Sequence, residues 1–74
     1  MAGSKLPVLE WREVVKALGK AGFKPVRQRG SHLILEGPEG RITVVPRHDE
    51  IAPSTLVKIV AEAGLTKEEF QSLL

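Results

Sequence analysis

KPVRQRGSHLILEGPEGRITVVP, residues 24–46, decides the fold of this 74-residue chain. Three short runs stand between turn signals: KPVRQ (24–28), SHLILEG (31–37) and RITVVP (41–46). Arg29 and Gly30 read as a two-residue hairpin connection in which the glycine supplies the positive φ. GPEGR turns the chain again, with Pro38 early and Gly40 late. Pro46 ends the third run or sits at a sheet edge, because it has no N–H for a ladder. Three consecutive hairpin-linked strands make an antiparallel meander. Alternation places His32, Ile34 and Glu36 on one face and Ser31, Leu33 and Leu35 on the other.

Helical periodicity flanks the meander. Trp11, Val14, Val15 and Leu18 follow the i, i+3, i+4, i+7 stripe of an amphipathic helix beginning near Glu10. Trp11 reads as a core residue on that stripe. The helix stops at AGF, where Gly22 suits a left-handed cap and Phe23 the apolar contact that follows one. Gly19, inside the helix, costs about 1 kcal/mol relative to alanine and has no functional account. Downstream, RHDEIA is a charged loop. PSTLVKIVAEAGL then carries Leu56, Ile59, Val60 and Ala63 on a second stripe, and Gly64-Leu65 repeats the cap and contact. Thr66 and Glu69 form a capping box for a short third helix, with Leu65 and Phe70 as its hydrophobic staple.

The expected fold is therefore α+β, in the order α-β-β-β-α-α. A three-stranded antiparallel sheet has its helices packed on one face, the layout of double-stranded-RNA-binding domains. Residues 6–74 read as a single domain and residues 1–5 as a flexible N-terminus.

Composition narrows the chemistry. Cysteine is absent, which removes disulfides, thiolate catalysis and the usual structural zinc ligands. The two histidines, sixteen residues apart and without HxxxH spacing, make a weak metal site. Neither a cofactor nor a metal is expected. No apolar run approaches the roughly 18 residues of a membrane span, and the first residues lack the apolar region of a signal peptide. The expectation is a cytoplasmic monomer with no membrane partner. Charge is uneven: residues 24–48 carry Lys24, Arg27, Arg29, Arg41 and Arg47 against Glu36 and Glu39, whereas residues 49–74 are acidic. A basic middle suits a phosphate backbone, and equally an ordinary solvated sheet edge.

His32 has two readings. One is a half-exposed polar residue entering a strand. The other is catalytic, because RNA is cut when a base removes the 2′-hydroxyl proton and an acid protonates the departing 5′ oxygen. Histidine serves either role near neutral pH. Arg27, Arg29 and Arg41 are placed to steady phosphate charge, and the turn at Gly30 exposes backbone N–H groups that take an anion. A serine hydrolase is disfavoured, since Ser31 and His32 are adjacent and point to opposite faces.

The motifs AGF (21–23), RQRGSH (27–32), VP.H (Val45, Pro46, His48), TL..I (Thr55, Leu56, Ile59) and AGLT..EF (63–70) together resemble the HicA family, small toxins of type II toxin–antitoxin systems. The resemblance runs from about Leu6 to Leu74. It implies the double-stranded-RNA-binding-like fold and metal-independent endoribonuclease (mRNA interferase) activity that arrests translation. It also implies an essential histidine at His32 and a HicB-type antitoxin as partner. On this reading the candidate RNA-binding residues are Lys24, Arg27, Arg29, Gly30, Ser31, Arg41, Arg47 and His48. One departure stands out: where many members have a lysine-rich loop after the second histidine, this chain has DEIAPS, which weakens the basic surface near His48. Two alternatives remain, a non-catalytic RNA-binding module and a domain whose ligand is only its antitoxin.

Overall fold

Described over residues 6–74, the computed structural model places helix α1 at Trp11–Lys20, followed by strands β1 (Lys24–Arg29) and β2 (His32–Glu36). A 3-10 turn at Pro38–Gly40 leads to β3 (Ile42–Pro46), and α2 (Pro53–Glu62) and α3 (Lys67–Ser72) complete the chain. The expected flexible N-terminus, residues 1–5, lies outside the described residues. The fold is α+β in the anticipated order, with an antiparallel sheet ordered β1-β2-β3.

The helix ends follow from local chemistry. After α1, Phe23 N–H donates to Leu18 C=O at 3.0 Å and Gly22 N–H to Gly19 C=O at 3.1 Å. Gly22 takes φ +95°, which completes a left-handed cap. The end of α2 repeats this with Leu65 on Val60, Gly64 on Ala61, and Gly64 at φ +75°. At α3 the capping box is formed: Glu69 N–H donates to Thr66 Oγ1 at 3.0 Å, and Thr66 N–H donates to Glu69 Oε1 at 2.8 Å.

Val14, Ala17 and Leu18 of α1, Leu56, Ile59 and Val60 of α2, and Phe70 of α3 bury their stripes in one cluster with Leu35 and Val45 of the sheet. Leu35, Thr43 and Val45 are fully buried, so this face of β2 and β3 lies beneath the helices. Phe23 is pinned against Gly37, where a Cβ would come within 2.5 Å of its ring. All six residues of β1 are exposed.

Two expectations need correction. The hairpin connection is Gly30-Ser31, not Arg29-Gly30, because Arg29 pairs with His32 at the end of the ladder. Gly30 takes φ +58° as the first of the two loop residues, a place where arginine's Cβ would be strained. Trp11 is not a core residue: it packs against the core's margin and stays half-exposed. The structure also shows that β1 does not alternate simply. The register slips between Pro25 and Arg27, so Lys24 pairs with Glu36, Arg27 with Ile34 and Arg29 with His32. Paired residues share a face, so the irregularity brings Lys24, Arg27 and Arg29 to the open side with His32. Regular alternation from Arg29 would have put Pro25 there in place of Lys24.

Candidate active site

His32 opens β2, directly across from Arg29 on one side and Pro46 on the other. His48 lies two residues beyond Pro46, where the chain is tied at several backbone points. Arg47 N–H donates to Ser31 C=O at 2.7 Å, and His48 N–H donates to Pro46 C=O at 2.8 Å. The His48 carbonyl accepts from Trp11 N–H at 3.1 Å, and Ile51 pairs with Leu9 in an isolated antiparallel bridge. The loop carrying the second histidine is thus clamped to the hairpin turn on one side and to the start of α1 on the other.

These ties bring both imidazoles to one groove of about 580 Å³ between β3, an edge strand, and α2. Val44 and Pro46 line it from the sheet, and Thr55, Lys58, Ile59 and Glu62 from α2. Glu50 and Ala52 complete it from the intervening loop. Thr43, fully buried, donates its hydroxyl to Glu62 Oε1 at 3.0 Å and so holds that carboxylate at the groove. The groove therefore offers two imidazoles and one ammonium against two carboxylates. Glu50 of the DEIAPS loop lines the same groove as His48. Among the described residues, no three His, Asp or Glu side chains come together in a way that could hold a metal ion.

The other residues marked by sequence fall into three places. Lys24, Arg27 and Arg29 form a row on the open sheet face beside His32. Gly30, Ser31 and Arg47 line a separate cleft of about 430 Å³ with Trp11, Arg12 and Asp49. Arg41 is not gathered with the rest. It precedes β3 at the end away from His32, and its guanidinium lies where a Cβ on Gly64 would meet it at 2.5 Å.

Sequence reasoning did not find Glu62 or Thr55 as groove residues. The i, i+3, i+7 spacing of Thr55, Lys58 and Glu62 is a signal that a helix face was shared. Nothing in the sequence says that this face meets the histidines.

A family model described as HicA toxin of bacterial toxin-antitoxin matches residues 11–65, more than half of the chain. The matched span holds α1, the whole sheet, α2 and both histidines, and it stops short of α3. No curated protein matches the chain.

Proposed function

The chain belongs to the HicA family of toxins from bacterial toxin–antitoxin systems, and from that premise we propose that it arrests translation by cutting messenger RNA without a metal ion. The observation that carries this reading is the meeting of His32 and His48 in one groove, beside the cation row of β1. Self-cleavage of an RNA linkage needs one group to take a proton and another to give one. Here two imidazoles fill the two roles, one as the base and one as the acid. One removes the 2′-hydroxyl proton, the 2′ oxygen attacks phosphorus, and the bond to the 5′ oxygen breaks. The second imidazole delivers its proton to that leaving oxygen. The products are a 2′,3′-cyclic phosphate and a 5′-hydroxyl, with atoms and protons in balance.

Cations beside the groove attract the negative phosphodiester and its crowded transition state. Arg29, directly across the ladder from His32, stands nearest in register, with Arg27 and Lys24 extending the track. As a toxin the protein has an antitoxin partner. In this reading a HicB-type antitoxin silences it by occupying the groove and the cation row, the surfaces the RNA needs. No described helix is long and apolar enough to cross a membrane, and we place the activity in the cytoplasm, where messenger RNA is.

Purified protein incubated with labelled RNA in excess EDTA tests the reading, beside His32→Ala and His48→Ala variants shown to be folded by circular dichroism. Cleavage by the unaltered protein is expected, with turnover reduced by about 10²–10⁴-fold in each variant. Equal turnover by His48→Ala removes that residue from the mechanism. Binding without cleavage by the unaltered protein leaves an RNA-binding module, and neither binding nor cleavage leaves a domain whose ligand is its antitoxin.

A further inference from the structure

Beside the groove, on the other side of the Ser31–His32 and Arg47–His48 steps, lies the cleft of Trp11, Arg12, Gly30, Ser31, Arg47 and Asp49. Resting on the RNA-cleavage reading, we infer that this cleft is a second RNA subsite, which takes a backbone phosphate flanking the one that is cut. Two guanidiniums converge on a single ring: Arg12 Cζ and Arg47 Cζ each stand 4.8 Å from the Trp11 ring centroid. Stacking holds each planar fork in place, so less rotamer freedom is lost when the free N–H groups meet a phosphate.

The charge balance supports an anion that is held but not trapped. Arg47 makes no ion pair among the described residues, and Arg12 pairs through one N–H with Glu10 at 2.8 Å. That pair is exposed and therefore weak, so it yields readily to a phosphate. Asp49 also lines the cleft and opposes the anion. The hairpin turn leaves the approach clear: a Cβ at Gly30 would meet nothing within 4 Å, and Gln28 Nε2 donates to Gly30 C=O at 3.0 Å to fix the loop. The amide of Trp11 is taken by His48, so the subsite stands on side chains rather than on free helix N–H groups.

The same short steps of chain serve both sites. Ser31 and Arg47 line the cleft, while their chain neighbours His32 and His48 line the groove. An RNA strand crossing the rim of the sheet at the Gly30-Ser31 turn therefore reaches both. Trp11 is a positioning residue here, and Arg12 and Arg47 bind.

Trp11 is the only tryptophan, so intrinsic fluorescence reports on this cleft alone. The probe is a 2′-O-methyl oligonucleotide, which has no free 2′-hydroxyl to attack. Titration is expected to change the Trp11 emission of the full-length protein. Arg12→Ala is expected to weaken affinity about tenfold, equivalent to about 1.4 kcal/mol, and to lower the salt slope of binding by about 0.7, the loss of one single-strand phosphate contact. Asp49→Asn is expected to tighten binding, a sign that a merely structural role would not produce. In cleavage assays the Arg12→Ala penalty is expected on a long RNA and not on a dinucleoside monophosphate that carries only the scissile phosphate. Unchanged affinity and salt slope in Arg12→Ala, while the unaltered protein cleaves RNA and His32→Ala does not, overturns the subsite and leaves the enzyme reading standing. No binding or cleavage by the unaltered protein overturns both. Emission that responds to an acidic peptide and not to the oligonucleotide assigns the cleft to a protein partner instead and overturns the proposal.

Discussion

Glu62 shows how a single side chain sets the character of the groove. Its carboxylate is held by the buried Thr43 hydroxyl at 3.0 Å, in a groove that two imidazoles and Lys58 also line. A fixed negative charge there repels a phosphodiester. Glu62→Gln keeps an oxygen to accept from Thr43 and removes the charge, so the expected outcome is a lower KM for RNA with little change in thermal midpoint. Steady-state kinetics and a melting curve check both halves. At this scale the sequence marked His32 as a candidate, leaving acid–base chemistry and a plain polar strand residue as its two readings. It was silent about Glu62, which reaches the site only because α2 packs along β3. Trp11 was misread for a related reason. Its place on the apolar stripe is real, yet the stripe's first residue lies at the core's margin, where Arg12 and Arg47 cover the ring.

Helices and their ends were the most legible elements, because caps are written in a few adjacent residues. Both glycine caps and the Thr66–Glu69 box formed where the sequence put them. The sheet's details were less so. A two-residue turn moved by one position, and β1 took an irregularity beside Pro25, a residue that fits a bulge or an edge but does not fix its register. Both outcomes depend on pairing with β2 rather than on the strand itself. Glycines make a sharp test of this distinction. Gly19 sits on an exposed part of α1 where an added methyl group would meet nothing within 4 Å, so Gly19→Ala should stabilise the protein by about 0.5–1 kcal/mol. Gly37→Ala would instead drive a Cβ into the Phe23 ring, and a loss of about 1–3 kcal/mol is expected. Urea denaturation of the two variants should move the midpoint in opposite directions.

Taken whole, the molecule has little stability to spare. A 74-residue domain is expected to have roughly 4–11 kcal/mol in total. Phe70, on α3 and fully buried, is one of the largest side chains in the core. Phe70→Ala should remove about 3–5 kcal/mol, a large share of that total, with a clear fall in thermal midpoint by calorimetry or circular dichroism. The family match ends before α3, yet the core closes only with it. The global arrangement was readable from the order of elements, since two apolar helical stripes and one half-apolar meander have few ways to cover each other. What could not be read was the meeting of distant segments at one rim, where His32, His48 and the start of α1 converge. That convergence has a consequence during synthesis. A chain still emerging from the ribosome displays both histidines before α2, their facing wall, has been made and folded. The groove is therefore completed only after synthesis has passed Glu62.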